Sequence, residues 1–298
     1  MRRNRILYFL AACSLCAVLS GPVGEAAEVP MSRGQWLRTL YESRQTSETT
    51  SGAFPSGAGF SDVSERSDGY EAALWAKARG ISQGYDREHF QPDSPITRLQ
   101  AAVMLYRYEQ AIFGGSLSAA APESAEWAVF PVWGRSAAAW AVTQGVWFSG
   151  TEAADADGLL DAAEGNAMIY AASVGRMKPS GISLSRDAGA ELALSAVSPE
   201  GATVTVTNRG SASLHYGRFD FLQLELHGVW YAQLSGKAFI ALAHQVVPGK
   251  SDSWGTVWRD SHRVLPAGNY RLVLPVNDRV LPDGTYSADF IAAEFTID

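Results

Sequence analysis

The chain has 298 residues, 47% hydrophobic and 18% charged, with 24 Lys and Arg against 31 Asp and Glu. That length accommodates about two domains of ~100–200 residues, and the hydrophobic fraction excludes wholesale disorder. A formal net charge of −7 speaks against a general nucleic-acid binder, which needs a basic face to displace counterions.

Met1 to Arg5 (MRRNR) is a positive start and Ile6 to Leu19 a continuous apolar run, with Gly21, Pro22, Ala26 and Ala27 following. This is the layout of a secretory signal peptide over 1–27. The run falls short of the ~20 apolar residues a membrane span needs, so no transmembrane segment is expected after cleavage. Leu10-Ala11-Ala12-Cys13 also has lipobox form, which would place a lipid on Cys13, although the apolar stretch before it is very short. Cleavage after Ala27 removes three arginines, one glutamate and both cysteines (Cys13 and Cys16), taking the formal charge to −9. An exported protein without disulfides fits a bacterial surface better than a eukaryotic secretory route.

The next stretch repeats itself. Pro30 to Tyr41 (PMSRGQWLRTLY) aligns with Pro95 to Tyr106 (PITRLQAAVMLY) at an offset of 65 residues. Ala73-Leu74-Trp75-Ala76 with Gly80-Ile81 aligns with Ala138-Ala139-Trp140-Ala141 with Gly145-Val146 at the same offset. A fixed period means stacked copies of one supersecondary unit. Tyr70 to Arg79 reads as a helix stopped by Gly80, and Ile81 to Tyr85 as a turn through Gly84. Thr97 and Gln100, and likewise Ser32 and Gln35, have the spacing of capping boxes that open further helices. Residues 109–129, with their Gly/Ser/Ala/Pro stretch, read as a loop between units.

These residues carry a resemblance. Phe60-Ser61-Asp62-Val63, Trp75-Ala76, Gly80-Ile81, Gly84-Tyr85, Phe90-Gln91-Pro92 and Ile96-Thr97-Arg98 resemble an S-layer homology repeat. The best copy spans 60–108, a partial copy 28–45 and a degenerate copy 130–172. In the third, Ala163-Glu164 is read as standing where Thr-Arg is expected. The resemblance implies a three-fold pseudo-repeat over 28–176 that holds exported proteins noncovalently on the wall of Gram-positive-type bacteria. The implied ligand is an anionic secondary cell-wall polysaccharide, often carrying a pyruvate ketal. It assigns Arg33 and Arg98 to the carboxylate, Trp75 and Trp140 to the groove walls, and Gly84 and Tyr85 to the sugar. A guanidinium fork suits a carboxylate, aromatic faces suit sugar rings, and glycine admits close approach. On this reading Glu164 would repel an anion and weaken the third groove. The residues alone also allow Trp75 and Trp140 to be core, and the arginines to pair with Asp62 or Glu71.

The period changes after Gly175 to Ser180, which leaves 177–183 as a linker. Residues 191–196, 202–207, 219–226, 270–276 and 289–297 alternate as strands between turn signals such as His227-Gly228 and Pro248-Gly249. Short strands at this spacing predict an antiparallel β-sandwich over 184–298. Val206-Thr207-Asn208, Gly228-Val229-Trp230-Tyr231, Val247-Pro248-Gly249 and Leu265-Pro266-Ala267-Gly268-Asn269-Tyr270 resemble a bacterial immunoglobulin-like domain. Trp230, Tyr231, Trp254 and Trp258 are read as a candidate binding patch or as core. The fold class is therefore multidomain: a helical repeat module followed by an all-β sandwich.

Chemistry finds little support. The five histidines show no HExxH spacing, and neither a GxSxG elbow nor a phosphate-cradling GxxxxGK loop is present. Asp155 to Asp161 lacks the ligand spacing of a calcium loop. No catalytic residue, metal or cofactor is expected. The leading expectation is a noncatalytic wall-anchored surface protein. The other is an extracellular interaction module whose immunoglobulin-like domain meets a protein partner.

Overall fold

A computed structural model of the chain describes residues 29–43, 59–113, 127–148, 156–175, 177–218, 221–233, 243–258, 264–280 and 286–298. The expected signal peptide, Gly150, His262 and most of the loop between units lie outside them. Among the described residues five helices come first: α1 (Arg33–Ser43), α2 (Tyr70–Ala78), α3 (Arg98–Phe113), α4 (Arg135–Thr143) and α5 (Ala162–Val174). No described helix is long and apolar enough to cross a membrane.

Both expected capping boxes form. Gln35 N donates to Ser32 Oγ (3.1 Å) and Ser32 N to Gln35 Oε1 (2.8 Å). Gln100 N donates to Thr97 Oγ1 (3.3 Å) and Thr97 N to Gln100 Oε1 (3.4 Å). The third helix of this kind, α5, is capped by Asp161, whose carboxylate accepts from Glu164 N at 2.7 Å. The last aspartate of the acidic 155–161 segment thus serves as a helix cap.

The residues just before these three helices close a ring of backbone hydrogen bonds. Met31 N donates to Leu160 O (2.6 Å), Leu160 N to Ile96 O (3.1 Å) and Ile96 N to Met31 O (3.0 Å). All three side chains are buried. Each copy therefore satisfies its neighbour's orphan groups, which is why no single copy is self-sufficient. The ring also fixes the register: Leu160 falls one residue short of the 65-residue offset. The counterpart of Arg33 and Arg98 is Ala162, and that of Gln35 and Gln100 is Glu164. The expected alignment of Ala163-Glu164 with Thr-Arg is two positions out: the counterparts are Asp161 and Ala162, and period alone does not reveal the deleted residue that shifts the register.

Aromatic pairs repeat with the helices. Tyr41 of α1 packs on Trp75 of α2 (ring centroids 5.3 Å), and Tyr106 of α3 on Trp140 of α4 (5.7 Å). The third tyrosine, Tyr170 of α5, has Tyr270 of the β-half as its partner (5.6 Å, edge to face).

The strands are β1 (Met177–Pro179), β2 (Ala190–Ser198), β3 (Gly201–Asn208), β4 (Leu214–Gly217), β5 (Phe221–Leu226), β6 (Val229–Gln233), β7 (Ala243–Val246), β8 (Ser251–Val257), β9 (Gly268–Val280) and β10 (Tyr286–Ile297). One sheet runs β1-β6-β5-β9-β4-β7 with β10 on the other side of β9, and the second runs β2-β3-β8. All the described ladders are antiparallel. Val204, Val206, Leu214, Tyr216, Leu272, Leu274 and Ile291 fill the space between the sheets. His227 and Gly228, at φ 50 and 79, make the two-residue β5–β6 turn, the positive pair that matches strand twist.

Two expectations change. Residues 177–179 are not free linker but β1, paired with β6. In addition, β4, β6, β7 and β8 are strands that the sequence pattern does not announce. Each is short and weakly alternating, so its neighbours decide its conformation. In β8 the outward hydroxyls of Ser251 and Ser253 each lie 2.8 Å from Thr207 and Thr205 across the ladder.

The two halves share one hydrophobic core. Leu224, Leu226, Leu265, Tyr270 and Ile297 of the sandwich join the cluster built on Trp36, Trp75, Leu105 and Met168. An aromatic chain Tyr170–Tyr270–Phe295–Trp258 runs through the junction. Tyr270 Oη donates to Pro266 O (2.9 Å), a tyrosine corner of the type that braces immunoglobulin sandwiches. Gly145 (φ +65) lies so close to Met177 that a Cβ would stand 2.4 Å from its carbonyl oxygen, so any side chain there would part the two halves.

Candidate functional site

A cavity of about 350 Å³ opens where the first copy meets the second. Arg33 comes from the start of α1, Gly84 and Tyr85 from the turn after α2, and Gln100 and Arg107 from α3, with Trp133 of the third copy at the side. Its size lies within the ~300–1,000 Å³ usual for small-molecule clefts.

Arg33 is its floor. Only 5% exposed, it donates from Nε to Phe90 O (2.9 Å) and from Nη1 to Gln100 Oε1 (3.1 Å), and it lies 4.9 Å over the Phe90 ring. Its second terminal nitrogen, Nη2, takes part in neither bond. Both acceptors are neutral, so the charge is oriented but not cancelled. Asp62, the sequence's alternative partner, instead accepts Phe90 N (2.8 Å) and Gln91 N (2.7 Å). Burial lowers the Arg33 pKa, with Asp62 and Tyr85 acting through space in the other direction. A guanidinium starts so high that it stays charged. Arg107 is half-buried on the same cavity. It makes no hydrogen bond or ion pair with the described residues, and burial alone lowers its pKa. Sequence reasoning missed it. The signal was its place nine residues after Arg98, on a stripe of α3 with Gln100, Val103 and Met104.

The equivalent junction between the second and third copies is spent internally. Arg98 Nε donates to Glu164 Oε1 at 2.6 Å, with Glu164 only 2% exposed. Arg98 reaches Glu164 as Arg33 reaches Gln100, but here the acceptor carries the opposite charge. Burial pushes the Glu164 carboxyl up, and Arg98 pulls it partly back. The sandwich covers this junction as well. Tyr231 packs edge-on against Phe148 (4.9 Å), the residue equivalent to Gln83, and Glu164 acts through space to raise the Tyr231 pKa, after burial. His227 Nε2 lies 2.9 Å from Asp161 Oδ2. Arg98, expected to meet the ligand, is thus engaged in an internal ion pair.

The two expected groove-wall tryptophans pack on tyrosines of the repeat. Trp75 is 2% exposed, wedged between Tyr41 and Tyr108, and no sugar reaches it. Trp140 is half-buried against Tyr106 and lines no part of the Arg33 cavity. Gly84 does border the cavity, but its backbone alone already requires glycine: φ is +80, and an added Cβ would stand 2.7 Å from both His89 O and the Phe60 ring. Tyr85 is 68% exposed at the rim. In the sandwich, Trp230 lies under Arg271, Trp254 on Tyr216 and Trp258 on Phe295, so the four candidate aromatics form no common free patch.

The turn that carries Tyr85 is held by Asp86, whose Oδ1 accepts Glu88 N (3.1 Å) and His89 N (2.8 Å) while its carboxylate meets His89 Nδ1 (2.9 Å). The hydrogen bond to Asp86 raises the His89 pKa, and backbone donation from His89 lowers that of Asp86. The imidazolium's contribution is therefore complete below the ordinary histidine value and lost as pH rises through the raised one. That of Asp86 is present above the ordinary carboxylate value and lost as pH falls through the lowered one. NMR titration is expected to place His89 above an ordinary histidine, and Asp86→Asn to return it; an unmoved His89 in the variant would refute the pairing.

Residues 59–102 match the model of the S-layer homology domain, and residues 187–294 match that of a bacterial Ig-like domain. The chain joins an S-layer homology domain to a bacterial Ig-like domain. No curated protein matches it at a significant level. S-layer homology domains bind cell-wall polymers and anchor surface proteins, so this is a cell-surface chain displaying an Ig-like domain. Both matched domains are of typically noncatalytic kinds, and no catalytic domain is matched.

Proposed function

We propose that the S-layer homology module holds this noncatalytic protein on a Gram-positive-type wall through one groove, the Arg33 cavity, which takes an anionic sugar of a secondary cell-wall polysaccharide. The observation that carries the reading is the difference in charge balance between the two equivalent junctions. Arg33 faces the amide of Gln100 with Arg107 beside it, whereas Arg98 is neutralised by Glu164. A sugar carboxylate, such as a pyruvate ketal, meets two guanidinium groups in a partly desolvated cleft, where charge-assisted hydrogen bonds are strong. Tyr85 at the rim offers an aromatic face to the ring, and the Ig-like domain is carried outward as the displayed part.

Co-sedimentation with purified walls tests this. Arg107→Ala removes a cation that supports nothing else in the described structure, so the fold should be unchanged. One charged hydrogen bond contributes ~1.5–3 kcal/mol, so wall affinity is expected to fall about ten- to a hundred-fold. Undiminished retention in Arg107→Ala and Arg33→Ala alike, both shown to be folded, would overturn the assignment. Stripping ketal-linked pyruvate from the walls is expected to release the wild-type chain.

A further inference from the structure

Resting on that groove, we infer that Trp133 is a specificity-determining residue which, with Tyr85, selects a ring-bearing anion over a bare carboxylate. The second copy opens with Phe60-Ser61-Asp62-Val63, where Asp62 caps the Phe90 turn and Val63 is buried. The third copy opens with Phe130-Pro131-Val132-Trp133 instead. Its phenylalanine keeps the core position, 4% exposed, and packs on Trp127 and Trp147. The acid has gone, and the small buried valine has become an indole 57% exposed. Trp133 has no ring partner or hydrogen bond among the described residues, and it borders the cavity that holds Arg33 and Arg107.

A large aromatic left in water beside two uncancelled cations serves neither core packing nor capping. Loss of the acid at this opening also removes a charge that would oppose an anionic guest. The arrangement fits a guest with an acidic group turned inward to the guanidinium floor and an apolar ring face turned outward. Trp133 belongs to the third copy and Tyr85 to the second, so the two rims come from different units and meet only when the copies are stacked. A small carboxylate reaches the floor but not the rim, and gains nothing from the indole.

The probe is a methyl glycoside bearing a ketal-linked pyruvate, titrated into the whole mature chain by calorimetry, with emission of the tryptophans recorded in parallel. Trp133→Ala is expected to weaken binding about tenfold, as for loss of one aromatic face. Trp133→Phe is expected to keep most of the affinity while abolishing the ligand-induced emission change. Pyruvate alone is expected to bind wild type and Trp133→Ala equally. If the wild type binds the glycoside and Trp133→Ala matches it, or Trp133→Phe loses as much as Trp133→Ala, the indole's role is overturned and the groove stands. If the folded wild type binds no glycoside, the groove reading itself is overturned, and this inference with it.

Discussion

Replacing Arg98 by alanine is expected to lower stability by about 3–5 kcal/mol, the usual cost of stripping one partner from a buried ion pair. Glu164, 2% exposed and 2.6 Å from Arg98, would be left as a carboxylate without its compensating cation. Urea unfolding at neutral pH checks the size of the loss. The pH dependence follows from the direction of the Glu164 shift. Burial already raises its pKa, and loss of Arg98 raises it further. A group raised in the folded state contributes fully at low pH and loses that contribution as pH rises through the folded value. The deficit of Arg98→Ala should therefore shrink on acidification towards the ordinary carboxylate range and be largest at neutrality. Glu164→Gln is expected to be far milder, since it recreates the amide acceptor that Gln100 offers Arg33. Wall binding by the folded fraction of Arg98→Ala should equal wild type. A stable Arg98→Ala variant that lost its walls would reverse the roles given to the two arginines.

Tyr270→Ala is expected to cost a similar ~3–5 kcal/mol, in the range found when a large aromatic is cut from a core. Tyr270 is fully buried, touches Tyr170 on one side and Phe295 on the other, and ties its hydroxyl to Pro266. Because both halves contribute to one cluster of side chains, helix and sheet signals should melt together in the wild type. In Tyr270→Ala both are expected to fall to lower temperature, followed by circular dichroism at a helical wavelength and by amide hydrogen exchange of β9 and β10. Helices that melt at their former temperature would show that the halves are energetically separate.

The sequence makes the repeat legible because two independent blocks share an offset, and the capping boxes legible because their residue types sit three apart. It makes the sandwich legible where strands alternate over six residues or more, as in 202–207 and 270–276. Other features depend on partners far along the chain. Arg33 and Arg98 look alike locally, and their fates diverge because Gln100 faces one and Glu164 the other. Glu164 itself falls at the Gln100 position rather than at the Arg98 position expected for it, since the register of the third copy is visible only in the Met31–Ile96–Leu160 ring. Trp75 and Trp140 carry the repeat so plainly because they pack against its tyrosines, and the same packing withdraws Trp75 from any ligand. Trp133 and Arg107 escape a sequence reading because neither belongs to a repeated motif. That the sandwich would dock on α5, with Tyr270 meeting Tyr170 as Trp75 meets Tyr41, has no signature in either half alone.

The closing of the second junction by Glu164 and Tyr231 has a bearing on how the molecule dwells on its surface. Joining two sites on one scaffold raises overall avidity by ~10²–10⁴ without any new contact, and a lone site forgoes that gain. On the reading proposed above, with the Arg33 groove as the binding one, the S-layer homology module's attachment is monovalent. A module held in that way is expected to exchange between neighbouring polymer strands, where a multiply gripped one would stay at its point of arrival.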